Sequence, residues 1–460
     1  MTYSAEAFDE LAAALSSTGG VVLRRGDAAL AAEVTAQNLD VVHDPEIAVG
    51  AASEADVAAA VRFAAAQSLP VRVLATGHGS YAPVTDGVLI TTRRLTGVRV
   101  DPQSRVATIA AGEPWSTVVT AGFEHGLVPV AGASSHVGTV GYTTGGGLGP
   151  LARAFGVSSD WARGFRVVTA GGEAVRADAS EHPDLFWALR GGKGGFGVVT
   201  SMDFELVPLT ALYGGSMFFD TEHIETVLRA WVAWTHSVPE QATSSVAILR
   251  FPPLEVIPEP LRGKTAVSVR YAYVGDADAA AAAFQPIRDA APALFDMVGE
   301  MPADQISTIH NDPTDPGPFW DRGLLLDDID DEFATALLGV VGAEQHVPLM
   351  MAEVRHIGGA TERDVPGGSA VGGRSAKYTF ILIGAPDPSL FETVLPGVAA
   401  GVLAAIAPWT SRENTVNFAG AFALPGSYAA SWPADVLTRL TEVRASYDPS
   451  GLFPYGPATG

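Results

Sequence analysis

Two periods of apolar and polar residues run along this chain and divide it into elements. Residues 265–275, TAVSVRYAYVG, alternate with period two over a long run, as a half-buried antiparallel strand does. A helical period opens at Ser53, which is followed three residues later by Asp56 in a capping-box-like pair, and continues through ADVAAAVRFAAAQ until Pro70 ends it. The same reading predicts a helix over 4–16, strands over 21–23, 71–75, 88–92, 98–101 and 105–111, and a helix from Pro114. FRVVTA and EAVRA pair as a hairpin across Gly171 and Gly172, and residues 181–209 read helix, glycine loop, strand. From Pro208 to about 406 the pattern is α+β: helices over 221–238 and 276–292, and strands over 246–251, 265–275, 349–357 and 377–385. Residues 301–323, with four prolines, read as a surface loop and entrance, in which Trp320 is a lid or an anchor. The expected units are 1–208, 209–409 and a closing segment, 410–460.

Composition narrows the function. The chain has 460 residues, 47% of them hydrophobic, so it is long enough for two or three packed domains. With 28 basic and 51 acidic residues the formal net charge is −23, which disfavours nucleic acid and anionic membranes as partners. There is no cysteine, which excludes disulfides, thiolate catalysis and cysteine–zinc sites. The ten histidines show no metal spacing, so no metal is expected. No membrane span and no basic leader region are visible, and a cytoplasmic protein, monomer or homodimer, is the expectation.

The chemistry concentrates in residues 131–155, AGASSHVGTVGYTTGGGLGPLARAF, where five glycines fall between 141 and 149. Glycine weakens helices and strands, so such a run serves close approach: bare backbone can set its N–H groups against a large anionic ligand such as a dinucleotide pyrophosphate. GGKGGFG at 191–197 contains a formal G-x-G-x-x-G, but a helix precedes it and a β-branched run follows, the reverse of the Rossmann context. Gly263–Lys264–Thr265 imitates the end of a phosphate loop, but Pro258 stands at its first glycine position. His78 sits between Gly77 and Gly79 at a strand end; its imidazole is a competent nucleophile, though a turn histidine facing water would look the same.

The order ATGHGSYAP, SSHVGTVGYTTGGGLG, DLFWALRGGKGGFGVVT, NFAG and a final YDPSGLF resembles the berberine bridge enzyme-like flavin oxidoreductases of the vanillyl-alcohol oxidase superfamily, over nearly the whole chain. The resemblance implies a two-lobed PCMH-type FAD-binding domain plus an α+β substrate domain whose antiparallel sheet is covered by helices. It implies FAD, with the backbone of Thr76, Gly77, His78, Gly79, Ser80 and Tyr81 on the pyrophosphate and His78 bonded to the flavin. Fully non-covalent FAD is the alternative. Ser134 stands where many members carry a second, cysteine attachment, which excludes two-point bonding here. Gly138, Thr143, Gly145 and Gly146 would line the cofactor, with Tyr142 near the ring. Asp160, Gly197 and Val199 would support its other parts, and Asn417 matches the family's late aromatic-x-Asn motif.

That motif's aromatic, often a tyrosine base, is Thr415 here, whose hydroxyl does not ionise near neutral pH. The replacement is sought on the substrate-domain sheet. Tyr378 sits where several relatives carry an active-site tyrosine, and Glu353 shares a strand face with Arg355. Tyr378, Tyr142 and Glu353 are therefore the catalytic candidates; a core tyrosine and a surface salt bridge are the plain readings of Tyr378 and of the Glu353–Arg355 pair. The implied function is oxidation of a small organic, secondary-metabolite substrate, with a hydride passing to FAD and dioxygen as reoxidant. A non-redox cyclisation or elimination on the same fold is the alternative.

Overall fold

The computed structural model describes residues 3–420 and 429–455, so the closing segment is described over 410–420 and 429–455. The chain begins with helix α1 (Ala5–Ser16), then strands β1 (Val21–Arg24) and β2 (Ile47–Gly50), helix α2 (Glu54–Ala66), and strands β3 (Val71–Leu74) and β4 (Val88–Thr91). The capping box at Ser53 forms: Ser53 Oγ accepts from the Asp56 amide, and Asp56 Oδ2 accepts from the Ser53 amide at 2.9 Å. These strands make a sheet in the order β1-β2-β4-β3, with β2 and β3 each parallel to β4. A second sheet joins β5 (Val98–Asp101), β6 (Val106–Ala110), β7 (Ala162–Val168), β8 (Ala174–Ala177) and β9 (Val198–Glu205) in the order β5-β6-β9-β7-β8. The glycine-rich stretch lies between β6 and β7, and its helical turns are Thr139–Thr143 and Ala152–Phe155.

An eight-stranded antiparallel sheet follows. Its strands are β10 (Ala211–Phe219), β11 (Ala242–Arg250), β12 (Thr265–Tyr273), β13 (Ala293–Asp296), β14 (Gly299–Pro302), β15 (Asp321–Leu326), β16 (Leu349–His356) and β17 (Tyr378–Gly384). They run in the order β13-β10-β12-β11-β16-β17-β15, and β14 pairs with β10. The period-two pattern gives this sheet two unlike faces. Val246, Ile248, Val267, Val269, Tyr271, Val354, Tyr378, Phe380 and Leu382 form one core with helices α3 (Ile224–Thr235), α4 (Ala277–Arg288), α5 (Asp331–Val341) and α6 (Leu395–Ala405). Trp231, Phe284, Phe333 and Phe380 are fully buried there, each contributing roughly 1.5–3 kcal/mol. The opposite face carries Ser245, Ser268, Arg270, Glu353, Arg355 and Thr379. Ser245 lies opposite both Arg270 and Arg355 in the register.

The chain's end returns to both lobes. Leu452 and Phe453 join the core of the first, and helix α7 (Ala434–Tyr447) packs Leu440 and Val443 into the second. Residues 301–323 depart from the expectation of a plain surface loop. A 3-10 helix, Ala303–Ile309, buries Ala303, Ile306 and Ile309, and it turns His310 inward. Among the described residues no helix is long and apolar enough to cross a membrane.

Arg153 fastens the glycine-rich segment to the large sheet. It donates to the carbonyl oxygens of Ala242 (2.7 Å) and Ile357 (2.6 Å), and its Nη1 lies 2.8 Å from His356 Nε2. Burial, reinforced by Arg153, pushes the His356 imidazole down to about 2, so it stays neutral in the folded chain. A neutral buried imidazole with an ordinary unfolded value stabilises fully above about pH 6.5, and that stability is lost as pH falls. At pH 5 His356 alone should cost about 2 kcal/mol. Urea-unfolding midpoints at pH 7.5 and pH 5 check this, and a midpoint that is flat or rises on acidification contradicts it.

Candidate active site

Two loops of the first two lobes stand side by side. The Gly138 amide donates to Thr76 Oγ1 at 3.3 Å, and the same oxygen lies 3.3 Å from His78 Nδ1. Burial, with a smaller contribution from His136 nearby, lowers His78 to about 4. At neutral pH it is an uncharged imidazole with a free lone pair. Gly77 takes a positive φ of 77° and the Ser80 amide closes the turn onto its carbonyl at 3.1 Å. Ser134 is half-buried on the second loop, beside Ser135 and His136. Tyr81 reaches across to the sheet and donates to Asp321 Oδ2 at 3.0 Å. Burial raises Asp321 to about 6 against that hydrogen bond.

The glycines of the run answer two different demands. A Cβ on Gly145 would strike the Asn417 amide, one on Gly147 the Tyr142 ring, and one on Gly149 the Ala131 carbonyl oxygen; these three are bare because protein packs against them. A Cβ on Gly79 or Gly141 would meet no atom within 4 Å, and one on Gly138 or Gly146 nothing nearer than 3.5 Å. At Gly79 and Gly141 the bare peptide borders open space, and at Gly138 and Gly146 it is in ordinary contact with neighbouring side chains. Beside it the Tyr142 hydroxyl and Thr139 Oγ1 are buried without a hydrogen-bond partner. Open peptide, orphaned hydroxyls and a neutral imidazole on adjoining loops fit a large ligand with phosphate and ring acceptors.

Several expected contacts turn inward instead. Thr143 is fully buried, its Oγ1 3.3 Å from Ser158 Oγ, so it braces the turn rather than presenting its hydroxyl to a cofactor. Asp160 is occupied by Arg374 at 2.5 Å and by the Val157 amide at 3.1 Å. Gly197 is bare because a Cβ would fall on the Val168 carbonyl, and Val199 packs into the second-lobe core. Asn417 does lie in the cradle, but both ends of its amide are engaged: Nδ2 donates to Tyr142 O at 2.8 Å, and Oδ1 accepts from Lys193 Nζ at 2.7 Å.

The geometry places the three catalytic candidates in different settings. Tyr378 lies on the helix-covered face, 2% exposed, stacked on His356, with its hydroxyl 2.9 Å from Thr235 Oγ1; burial raises it to about 12. It is a core tyrosine. The Tyr142 phenol is also raised by burial, and neither tyrosine ionises near neutral pH. Glu353 does face the cleft, but its charge is fixed. It is fully buried and accepts from Arg270 (2.5 Å), Ser245 (2.7 Å) and Arg355 (2.7 Å). Burial alone would raise it; the guanidiniums of Arg355 and Arg270 outweigh that and hold it well below the usual carboxylate range.

What gathers in the cleft is a different group. A cavity lies between Leu148, Gly149 and Pro150 of the glycine-rich segment and Ser245, Arg270, Arg355 and His310. His310 is 7% exposed in its side chain, and neither ring nitrogen has a hydrogen-bond partner. Its Nε2 lies 3.6 Å from Glu353 Oε1. Burial, then Arg355 and Arg270, hold it well below the ordinary histidine value against the pull of Glu353. Asp312, two residues on, is raised by burial. A lone arginine amid the alternation of 265–275 marks Arg270 in the sequence; nothing in the loop pattern marks His310.

Tyr378→Phe should leave flavin reduction unchanged and cost about 1 kcal/mol, one hydrogen bond. Slowed reduction in the folded variant would return Tyr378 to the site. Glu353→Gln leaves two guanidiniums buried together and should cost about 3–5 kcal/mol in urea unfolding; a wild-type midpoint would show that the cluster does not hold the seam.

Comparison with known proteins agrees with this geometry. A model of the FAD binding domain matches residues 45–178. The chain is 26% identical over 433 residues to an uncharacterised FAD-linked oxidoreductase, YgaK, of Bacillus subtilis, covering 91% of this chain and 92% of that one. Further FAD-linked oxidoreductases are matched over about half of their length. Among solved structures, Physcomitrella patens BBE-like 1 superposes with a TM-score of 0.82 at 17% identity, over 97% of this chain and 98% of that one. Glucooligosaccharide oxidase from Acremonium strictum, whose FAD is described as 6-S-cysteinyl and 8α-N1-histidyl, gives 0.80 at 22%, over 96% and 97%. The matched FAD binding domain and the full-length structural likeness together give this chain an FAD binding domain over residues 45–178 and the berberine bridge enzyme-like fold, and its relatives named above are FAD-linked oxidoreductases.

Proposed function

We propose that the protein is an FAD-linked oxidase whose cofactor is bonded through His78 and whose small organic substrate lies in the cavity between the glycine-rich segment and the large sheet. The observation that carries this is the neutral His78 imidazole beside peptide that faces open space at Gly79 and Gly141. When bound, FAD supplies the two-electron acceptor for a substrate hydride and is returned to its oxidised form by dioxygen. The chain's own residues bind, orient and manage a proton. The backbone of 76–81 and 138–146 holds the cofactor, and with no cysteine a single attachment is all this chain can make. His310, which lines the cavity, takes the proton that leaves with the hydride: in the tautomer whose Nε2–H is directed at Glu353, Nδ1 is the unprotonated acceptor. Arg270 and Arg355 keep that imidazole unprotonated in the free site, and Glu353 stabilises the imidazolium once formed.

Purified protein should be yellow, and acid precipitation should leave the colour in the pellet; His78→Ala should move it to the supernatant. Colourless protein contradicts the whole reading, and a colourless pellet from wild type contradicts the covalent part. A peroxide-release screen of small alcohols and amines under air supplies a substrate. With it, His310→Gln should slow flavin reduction by about 10²–10⁴-fold and flatten the acid limb of the pH profile, where protonation removes the acceptor. An unchanged profile would exclude His310 as that acceptor.

A further inference from the structure

Within GGKGGFG, four alternate positions take positive φ: Gly191 (114°), Lys193 (68°), Gly195 (90°) and Gly197 (141°). Lys193 is the one non-glycine among them. A side chain in the left-handed region costs about 1–2 kcal/mol, and glycine would remove that cost. The conformation is imposed: the Gly191 and Lys193 amides both donate to Thr144 O, at 3.0 and 2.8 Å, while Arg444 holds the Gly192 and Gly194 carbonyls from behind. The loop is thus clamped to the glycine-rich turn, and a lysine is kept where the backbone favours its absence.

The side chain then runs into the cradle. Lys193 Nζ donates to Gly141 O at 2.5 Å and to Asn417 Oδ1 at 2.7 Å, both neutral acceptors. Gly141 is one of the positions where a Cβ would meet open space. Among the described residues no carboxylate pairs with this ammonium, and desolvation draws it down to about 8. An ammonium has three N–H donors, so one is left over for the space that Gly141 borders. A half-buried cation with two neutral partners, held at a conformational cost, calls for an anionic third.

We infer that Lys193 supplies the counter-charge to bound FAD, its remaining N–H directed at an anionic oxygen of the cofactor, in the pyrophosphate or at the pyrimidine edge that becomes anionic on reduction. This rests on the reading that the cradle holds FAD. The two sources separate by measurement. Lys193→Gln keeps a hydrogen-bonding head without charge. If the lysine meets the pyrophosphate, Lys193→Gln in a His78→Ala background should weaken FAD binding at least tenfold, with the midpoint potential unchanged. If it meets the pyrimidine edge, FAD binding should hold. The reduced-to-oxidised ratio should then fall at least tenfold, about 30 mV for a two-electron couple, and sulfite should bind the flavin correspondingly less tightly. Lys193→Arg should preserve the wild-type value in either case. Lys193→Gly, which suits the positive φ, guards against misfolding: it should unfold no earlier than wild type yet share the loss seen with Lys193→Gln. Yellow, folded variants whose FAD affinity, potential and sulfite affinity all lie within twofold of wild type would overturn the inference while leaving the FAD reading standing. Protein that never takes up FAD would remove the reading itself.

Discussion

A carboxylate that is fully out of water at Glu353 sets the terms for the cleft. Its charge is tolerable only because Arg270, Arg355 and Ser245 meet it from three strands of one sheet. Desolvation there strengthens each charge-assisted bond and makes each unpaired charge expensive. The carboxylate's pairing ties β12, β11 and β16 together on the face opposite helices α3 to α6. It also decides the state of its neighbour. Burial, then the two guanidiniums, hold the His310 imidazole well below its ordinary value, against the pull of the carboxylate beside it. One cluster thus joins three strands of the sheet and, on the proposed reading, sets the state of the imidazole beside it.

The glycine-rich stretch works under a separate constraint, close approach from two sides. At Gly145, Gly147 and Gly149 the intruders are the protein's own Asn417, Tyr142 and Ala131. At Gly79 and Gly141 the same absence of side chain leaves room. The packed positions make the turn rigid; the open ones make it a cradle. Asn417 belongs to the first group, since both ends of its amide are spent on Tyr142 and Lys193, and it ties the chain's late segment to a loop formed near residue 140.

Much of this was legible in the residues, and the gaps have physical causes. Alternation in 349–357 put Glu353 and Arg355 on one face correctly, and alternation in 377–385 put Tyr378 with Phe380 correctly. Alternation does not say which face a helix will cover. Trp231, Phe284 and Phe333 decide that from other parts of the chain, and they claim the face bearing Tyr378. The proline-rich residues 301–323 read as surface because their composition is polar, yet three apolar residues of one short 3-10 helix suffice to turn His310 inward. Capping at Ser53 was readable because a capping box is local. The pairing of Asp160 with Arg374 was not readable because the two are 214 residues apart.

The replacement of a motif tyrosine by Thr415 now has a structural counterpart. A tyrosine base must be ionised by its surroundings, which demands nearby positive charge and some access to water. The cleft turns Arg270 and Arg355 on Glu353, while burial raises Tyr142 and, on the other face of the sheet, Tyr378 further from ionisation. Under those conditions a phenol is a poor acceptor. An imidazole, whose ordinary value already lies near neutrality and whose neutral form costs little to bury, is a better one. On the proposed reading, Thr415 at the motif position and the inward turn of His310 belong to one electrostatic arrangement: a buried site holding two guanidiniums and one carboxylate favours an acceptor that starts uncharged.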